Sequence, residues 1–320
     1  MLAGLVSLTA AMAGMLAPWI HTFDLLANLI LHSSAFALVC FLAARRTAGA
    51  LAGIACLLLS AAIAWSGFDL SVTGAAPPGS VARAATLRIV TYNMTGARFG
   101  PDAVQALAAL PDVDVIVLTE TGRGRALIPQ LRKEFPHATP CASRESCSLT
   151  ILSKHPVCRL ASWPRAANHP EIIRADILAG GQILALYAVD LRAPRPSARQ
   201  YRQFEALAAI LARQPGAKIV TGDFNAVSWS PGIRHLSVHA ALQHPHGYAA
   251  SWPSILGPFG VAIDHVLVSQ GLDASAPAAI AVPLRSDHRP VGVEIAIPGM
   301  GATQGSVPSC PGMANSPPQK

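Results

Sequence analysis

Three long apolar segments open the chain, at residues 2–20, 25–43 and 48–65. Each is close to the ~20 residues that a helix needs to cross a hydrocarbon core about 30 Å thick. The first has no basic residues ahead of its apolar run and is followed at once by two more such segments, unlike a cleaved signal peptide. The pattern therefore predicts a membrane anchor of three transmembrane helices.

The connection between the second and third segments holds Arg45 and Arg46, and the positive-inside rule places such a pair in the cytoplasm. The chain after Trp65 is then predicted to lie outside the cytoplasm. We expect a multi-pass protein of the cell (inner) membrane whose main domain is extracytoplasmic.

From residue 87 the pattern changes to short apolar runs separated by polar turns, which is typical of strands. Apolar residues at helical spacing predict two helices, at 101–110 and 199–213. The predicted strands cover residues 87–92, 113–118, 149–153, 172–178, 182–189, 219–225, 263–268 and 291–297. Many strands with few crossover helices predict an α/β fold in which two mixed, mainly antiparallel sheets pack together and helices cover the outside, giving four layers.

The same pattern divides the chain into four parts. Residues 1–66 form the anchor, and 67–86, with Pro77, Pro78 and Gly79, form a linker. Residues 87–298 form the main domain. Residues 299–320 are rich in Pro, Gly and Ser and lack periodicity, so they are predicted to be a disordered tail.

Composition supports a membrane segment and a basic domain. Hydrophobic residues make up 52% of the chain and charged residues only 13%, against about a quarter in soluble proteins. The first 70 residues hold two acidic and two basic side chains, so the net charge of +7 belongs to the remainder. Such a charge suits nucleic acid, anionic lipid headgroups or phosphorylated substrates. Because the basic residues are scattered, a nucleic-acid-binding tail is not indicated.

The six cysteines differ in their surroundings. Cys40 and Cys56 lie in the apolar segments and resemble small apolar residues. Cys141 and Cys147 bracket a short polar loop in a domain predicted to be outside the cytoplasm, where disulfides persist, so we predict that they are bonded. No second pair is present to complete a zinc site. Cys158 and Cys310 stay unassigned.

Polar residues follow several of the predicted strands. Asp223 and Asn225 end the run that begins at residue 219 and point the same way, because side chains alternate along a strand. Ligands commonly bind at such strand ends, although an Asx turn would account for the same residues. Further polar side chains stand at other strand ends: Asn93, Glu120, Asp264, His265, Ser286, Asp287 and His288.

This ordered set resembles the endonuclease/exonuclease/phosphatase superfamily, which has a DNase I-like fold, and most of all its membrane-anchored bacterial branch. The motifs are Thr-Tyr-Asn at 91–93, Leu-Thr-Glu at 118–120, Gly-Asp-Phe-Asn at 222–225, Ile-Asp-His at 263–265 and Ser-Asp-His-Arg-Pro at 286–290. The resemblance covers residues 87–297 and implies a hydrolase that cleaves phosphoester bonds with a divalent cation.

The resemblance also implies roles for single residues. Glu120, Asp287 and Asn93 would form a metal centre for Mg²⁺, with Mn²⁺ as an alternative, because hard cations prefer oxygen ligands. Asp223 would orient or deprotonate the attacking water, and Asn225 would hold a phosphoryl oxygen. His288 would bond the phosphate or exchange a proton, with Asp264 fixing its tautomer.

One position departs from the family pattern. Many members carry a phosphate-contacting His where this chain has Asp190. A carboxylate beside a phosphate is unfavourable unless a cation neutralises it. Asp190 could bind a second metal, pair with Arg192 or Arg195, mark altered chemistry, or belong to a surface turn.

A histidine-rich segment offers a second candidate site. His235 and His239 have the i, i+4 spacing of a metal-binding helix face, and His244 and His246 follow. The glutamate of the zinc-protease motif is absent between the first two. We favour a solvated or substrate-contacting loop over a structural zinc site.

Two classes of function remain open at this level. The first is a Mg²⁺-dependent hydrolase of a phosphomonoester, phosphodiester or pyrophosphate at the outer membrane surface. An anchored domain favours a lipid-linked or phosphorylated small-molecule substrate over nucleic acid. The alternatives are an extracytoplasmic nuclease and a catalytically impaired module that binds phosphate or lipid. The sequence does not fix the oligomeric state.

Overall fold

The computed structural model describes residues 1–17, 19–20, 23–69, 83–94, 101–122, 126, 128–140, 148–194, 197–282, 285–298 and 310. Most of the linker predicted at 67–86 lies outside these ranges, as does the predicted tail apart from Cys310.

The N-terminal part contains four helices: α1 (Leu2–Met15), α2 (Asp24–Ala27), α3 (Ile30–Ala43) and α4 (Thr47–Asp69). Only residues 47–65 of α4 are long and apolar enough to cross a membrane among the described helices, whereas α1 and α3 have 14 residues each. At 1.5 Å per residue these two span about 21 Å. The second predicted span is divided, since α2 ends at Ala27 and α3 begins at Ile30. Three membrane crossings therefore stay a prediction.

Helices α3 and α4 pack closely because small residues line their contact. A Cβ on Gly53 would lie 2.9 Å from Cα of Leu38, so a larger residue would push the helices apart. The hydroxyls of Ser34 and Ser60 form a buried hydrogen bond of 2.9 Å between the same helices. Small residues and buried hydroxyls are typical of helix contacts inside membranes.

The described residues of the remainder form thirteen strands, four further α-helices and a 3₁₀ helix at Ser254–Phe259. The strands are β1 (Arg83–Asn93), β2 (Val115–Thr119), β3 (His137–Ala138), β4 (Thr150–Ser153), β5 (Val157–Trp163), β6 (Glu171–Ala179), β7 (Gln182–Asp190), β8 (Lys218–Asp223), β9 (Leu242–Gln243), β10 (Asp264–Ser269), β11 (Asp273–Ala274), β12 (Ala278–Ala279) and β13 (Val291–Pro298). The helices are α5 (Pro101–Ala108), α6 (Ile128–Leu131), α7 (Ser197–Ala212) and α8 (Pro231–His239).

The strands form two mixed sheets. The first has the order β11-β13-β1-β2-β4-β3, with β12 also paired to β13, and the second has the order β5-β6-β7-β8-β10-β9. The pairs β1–β2 and β7–β8 are parallel, and the other pairs are antiparallel. All eight predicted strands are present. Strand β5 was not predicted, because it lies at a sheet edge with mostly part-exposed side chains and so lacks an apolar signature.

Three apolar cores separate four layers. The core between the sheets includes Ile89, Val117, Ile177, Leu186 and Ile219. A second core lies between the outer face of the second sheet and helices α7 and α8, and a third lies between the first sheet and helices α5 and α6. The predicted α/β sandwich flanked by helices is confirmed.

The N-terminal helices and the sandwich share a further core. Ile30 and Ala64 of the helices are buried together with Val227, Trp229 and Ile263 of the sandwich. The helical part is therefore packed onto the domain and contributes to its interior.

One disulfide is present among the described residues, and it joins Cys158 of β5 to Cys310, whose Cα atoms are 4.6 Å apart. These two residues were unassigned from the sequence. The disulfide predicted between Cys141 and Cys147 lies outside the described residues and stays a prediction.

Candidate active site

Neighbouring strands bring the candidate residues to one edge of the sandwich. In the second sheet Asp190, Asp223 and Asp264 are direct partners across β7, β8 and β10. In the first sheet Asn93 ends β1, and Glu120 follows the end of the parallel strand β2. Because parallel strands end at the same edge, the two sheets place these side chains together.

The converging residues line a cavity of about 390 Å³. Five residues predicted from the sequence are in its wall: Glu120, Asp223, Asn225, Asp287 and His288. The other three, Asn93, Asp190 and Asp264, are buried, with exposed fractions of 1%, 5% and 2%. Two of these, Asn93 and Asp264, hydrogen-bond cavity residues directly.

The turn after β8 holds two functional groups through its own hydrogen bonds. The backbone N–H of Asn225 donates to Oδ1 of Asp223 at 2.8 Å, which is the Asx-turn contact. The Asn225 side chain donates to Oδ2 of Asp223 at 3.1 Å and to the carbonyl of Leu191 at 3.0 Å. Asn225 has a φ of 50°, a conformation that Asn tolerates better than most residues. The sequence left open whether Asp223 and Asn225 form an Asx turn or a candidate site. They form an Asx turn, and this turn is part of the candidate site.

His288 is held by Asp264. Its Nδ1 lies 2.7 Å from Oδ2 of Asp264, and both side chains are buried. A carboxylate accepts only from a protonated nitrogen, so Nδ1 carries a proton. Burial alone would lower the pKa of His288, but Asp264, Asp223 and Asp287 together raise this pKa to about 10. The surrounding carboxylates therefore favour the charged form of the ring.

Negative charge accumulates around Asp223. Burial, followed by the neighbouring Asp264, raises the pKa of Asp223 well above its usual value, and Asp190 adds to this effect. Glu171 continues the row, since it pairs with Asp190 across β6 and β7. Four acidic residues thus stand side by side on four adjacent strands, an arrangement that favours a bound cation.

Two sets of residues could hold that cation. Among the described residues, ligand atoms of Asp223, Asp264 and His288 lie within 4.8 Å of one another. The set predicted from the sequence is Glu120, Asp287 and Asn93, of which the two carboxylates line the same cavity. The Asn93 amide nitrogen is 3.1 Å from Oε1 of Glu120 and 2.9 Å from Oδ2 of Asp223, so it bridges the two sets. Carboxylates that converge on one cavity fit a hard divalent cation.

Asp190 is neutralised by a residue that the sequence did not indicate. Arg165 forms an ion pair with its carboxylate and donates to its carbonyl at 3.2 Å, and Ser148 donates to Oδ2 at 3.0 Å. Burial raises the pKa of Asp190 to about 6, partly offset by Arg165. The surface-turn interpretation is wrong, because Asp190 is buried. Arg192 is exposed and is not the partner, and Arg195 lies outside the described residues.

Three further residues at the site were missed in the sequence. Glu171 is fully buried and accepts from the Ser148 hydroxyl at 2.8 Å, and it directly precedes the strand predicted at 172–178, so the rule used for the other residues would have found it. Trp252 donates from Nε1 to Oδ2 of Asp287 at 3.1 Å. Arg165 carried no local signal, because it lies in a connection between strands.

The histidine-rich segment does not form a zinc site in the described part of the chain. The rings of His235 and His239 are 4.1 Å apart on α8, but no group of three ligands includes them. His244 is buried and its Nε2 lies 2.8 Å from Nδ1 of His265. The expectation of a solvated loop is therefore wrong for His244, which belongs to the interior beside the site.

Several solved structures are similar to this chain in fold. The chain is similar to the crystal structure of sphingomyelinase C from Streptomyces griseocarneus at 17% identity and a TM-score of 0.51, covering 66% of this chain and 99% of that one. An endonuclease/exonuclease/phosphatase structure from Beutenbergia cavernae gives 17% identity and a TM-score of 0.54, with coverages of 67% and 72%. A Staphylococcus aureus beta toxin mutant with bound magnesium ions gives 13% identity and a TM-score of 0.51, with coverages of 65% and 99%.

These identities show a common fold. None of the curated proteins matches the chain. The model of the Endonuclease/Exonuclease/phosphatase family matches residues 90–288, which contain both sheets from β2 to β12 and all of the candidate site residues. The chain is therefore a member of the endonuclease/exonuclease/phosphatase family.

Proposed function

We propose that the protein is a membrane-anchored phosphoesterase that hydrolyses a phosphomonoester, phosphodiester or pyrophosphate with the help of Mg²⁺ or Mn²⁺. The observation that carries this proposal is the arrangement of two pairs in one cavity, the Asp264–His288 pair and the Asp223–Asn225 turn. Together they provide a proton donor, a proton acceptor and an amide for a phosphoryl oxygen.

Glu120 and Asp287 would hold the cation together with Asn93, whose amide nitrogen donates to Glu120 and to Asp223. When bound, the cation would draw electron density from the phosphoryl oxygens and compensate the surrounding carboxylates. The beta toxin structure, whose fold is similar to that of this chain, contains bound magnesium ions, which supports the choice of metal.

The chain's own residues account for the remaining chemistry. Asp223, whose pKa is raised, accepts a proton from the attacking water as its oxygen bonds to phosphorus. His288 donates a proton to the leaving alkoxide as the bond between phosphorus and that oxygen breaks, and Asp264 holds the ring in the required tautomer. Asn225 would hold a phosphoryl oxygen by exchanging one of its two side-chain hydrogen bonds, to Asp223 or to Leu191, for one to the substrate. The water adds to phosphorus, and the alcohol leaves with one proton.

Asp190 is compatible with this chemistry because Arg165 balances its charge. A neutralised carboxylate does not repel a phosphate as a free one would. Asp190 therefore acts by holding Arg165 and Ser148 beside the site. The presence of Asp190 is then no longer a reason to propose a catalytically impaired module.

We also propose that the domain lies at the outer face of the cell membrane and acts on a lipid-linked substrate. Support comes from the apolar helices α1, α3 and α4, from Arg45 and Arg46 between the last two, and from the packing of the sandwich on these helices. An anchored domain meets lipid headgroups continually. A reporter fused after residue 65 tests the orientation.

The function is tested with the full chain in detergent, assayed with Mg²⁺ or with EDTA. The substrates are 4-nitrophenyl phosphate, bis(4-nitrophenyl) phosphate and plasmid DNA. We expect metal-dependent turnover of a nitrophenyl ester that falls about 10²- to 10⁴-fold in Asp223→Ala. The matched control is Asp273→Ala, which removes an exposed aspartate on β11 and should retain full activity. Turnover of DNA alone would support a nuclease, and no turnover of any substrate would support a binding module.

A further inference from the structure

One wall of the candidate active site belongs to the N-terminal helical part. Leu25 of α2 lines the cavity, and so do Asn28 and Leu29 between α2 and α3. Asp223 and His288 line the same cavity. Asn28 lies 197 positions before Asn225 in the chain. The site is thus completed by a segment that the sequence assigned only to anchoring.

Specific contacts hold this wall against the turn that carries Asn225. The Asn28 side chain accepts from the backbone N–H of Val227 at 3.1 Å and donates to the carbonyl of Asn225 at 3.4 Å. Trp229 donates from Nε1 to the carbonyl of Ala27 at 3.0 Å, and this ring is buried. The wall therefore has a fixed position relative to the reacting groups.

The cavity has a polar part and an apolar part. The polar part consists of the carboxylates, the amide and the imidazole described above. The apolar part includes Leu25 and Leu29 from the N-terminal segment and Trp252, Val261 and Ile263 from the sandwich. A small hydrophilic phosphoester would occupy the polar part and leave the apolar surface in contact with water.

The apolar surface continues outwards. Leu29 is 38% exposed, and the 3₁₀ segment Ser254–Phe259, which follows Trp252, exposes 90% of Ile255 and 76% of Phe259. His32 at the start of α3 donates from Nε2 to the carbonyl of Phe259 at 2.6 Å, so this segment lies against the helices. A chain that leaves the cavity on this side meets further apolar side chains.

We propose that Leu25 and Leu29 bind a hydrocarbon chain of the substrate, so that the enzyme selects phosphoesters of lipids over water-soluble phosphoesters. The proposal rests on the proposed hydrolase function and assigns the N-terminal segment to substrate specificity. The shared chemistry is a phosphoester attached to a long alkyl chain. A phosphomonoester and a phosphodiester of that kind are distinguished by the two arms of the test.

The test compares substrates that differ only in chain length. In the diester arm, methyl 4-nitrophenyl phosphate and dodecyl 4-nitrophenyl phosphate have the same leaving group. In the monoester arm, ethyl phosphate and dodecyl phosphate are compared by release of inorganic phosphate. Each pair is assayed with the full chain, Leu25→Ala/Leu29→Ala, Leu25→Met/Leu29→Met and Leu42→Ala in the same detergent. Leu42 is an exposed leucine on α3, about 20 Å along the helix from Leu29, and serves as the matched control.

We expect wild-type kcat/KM to be about tenfold or more higher for the dodecyl substrate in at least one arm. The double Ala variant should lose most of this preference, because its kcat/KM should fall far more on the dodecyl substrate than on the short one. The Met variant and Leu42→Ala should keep the preference. The ratio of two substrates removes any difference in folded fraction.

Three outcomes would overturn the proposal. Equal loss on both chain lengths in the double Ala variant would show a structural role only. An unchanged preference would show that the hydrocarbon chain binds elsewhere, and turnover of short substrates with no preference for the dodecyl ones would show that no such chain is bound. If wild type hydrolyses none of the four, the hydrolase function fails, and the specificity proposal fails with it.

Discussion

At the scale of single residues, the site depends on side chains that are placed by others. His288 is fixed by Asp264, and Asp264 has backbone support, since its N–H donates to the Ser251 hydroxyl at 3.2 Å. The backbone N–H of His288 in turn donates to the Ser286 hydroxyl at 3.0 Å. Each reacting group thus has a buried partner that sets its orientation.

Replacing Asp264 with Asn should lower kcat by about 10² or more, because an amide does not stabilise the imidazolium and no longer fixes the proton on Nδ1. His288→Ala should lower kcat by a similar factor or more. Both are measured with the nitrophenyl ester that wild type hydrolyses. His239→Ala, at the exposed end of α8, is the control and should be fully active. Near-normal activity of Asp264→Asn would contradict the assigned pair.

The buried histidines beside the site make stability depend on pH. Burial lowers the pKa of His244 to about 4 and that of His265 to about 3, from the usual 6.5. Because the folded-state pKa values are depressed, their contribution to stability is complete above pH 6.5 and is lost as the pH falls towards 4 and then 3. Each imidazole should cost up to about 1.4 kcal/mol of unfolding free energy per pH unit in this window.

These two imidazoles should therefore lower the thermal midpoint between pH 7 and pH 5, against an opposite contribution from Asp190 and Asp223, whose raised pKa values add stability as the pH falls. In His244→Gln/His265→Gln the fall should be smaller, since neither side chain takes up a proton. His239→Gln removes an exposed imidazole and should leave the pH dependence unchanged. The same slope in all three proteins would contradict the assignment.

At the scale of elements, the parallel pair β7 and β8 brings Asp190 and Asp223 together. This pairing needs a glycine at position 222, where φ is 144° and an added Cβ would lie 1.9 Å from the carbonyl oxygen of Val189. The glycine before the Asp223–Asn225 turn is thus required by the close approach of the neighbouring strand.

Gly222→Ala should destabilise the fold by about 2 kcal/mol or more, because the strands must separate to admit a methyl group. Gly216→Ala is the matched control: its φ of 81° is also positive, but nothing lies within 4 Å of an added Cβ. We expect a cost of about 1 kcal/mol there. The stabilities of the two variants are compared by thermal or denaturant unfolding. Equal losses of stability would show that β7 and β8 can separate at Gly222 with little cost in free energy.

At the scale of the whole molecule, the N-terminal helices and the sandwich are one packed unit. Removing the helices would expose Val227, Trp229, Val261 and Ile263, which share a core with Ile30. It would also remove the partners of Trp229 Nε1 and of the Val227 N–H.

A fragment that begins at Arg83 should therefore be less stable and should self-associate through this uncovered surface. Size-exclusion chromatography and thermal unfolding, each with the full chain in the same detergent as control, measure these effects. A monomeric fragment with an unchanged midpoint would contradict the shared core. Activity of the fragment on short esters, if it folds, should exceed its activity on long-chain ones.

Much of the fold could be predicted from the sequence because it is encoded locally. Apolar runs with β-branched residues, such as those before Asp223 and Glu120, identify strands, and the ends of those strands carry the polar groups. The short edge strands and β5 were missed, since half-exposed strands carry no such signal. The disulfide of Cys158 was also missed, because its partner, Cys310, is 152 positions away.

The sequence by itself determined the eight main strands, the order of the motifs and most of the polar residues that line the cavity, because periodicity and turn chemistry act over a few neighbouring positions. Only the tertiary structure decided that Arg165 balances Asp190, that Asn93 joins Glu120 to Asp223, and that Leu25 and Leu29 close the cavity. These contacts join segments far apart in the chain. They depend on how sheets and helices pack, which no local pattern specifies.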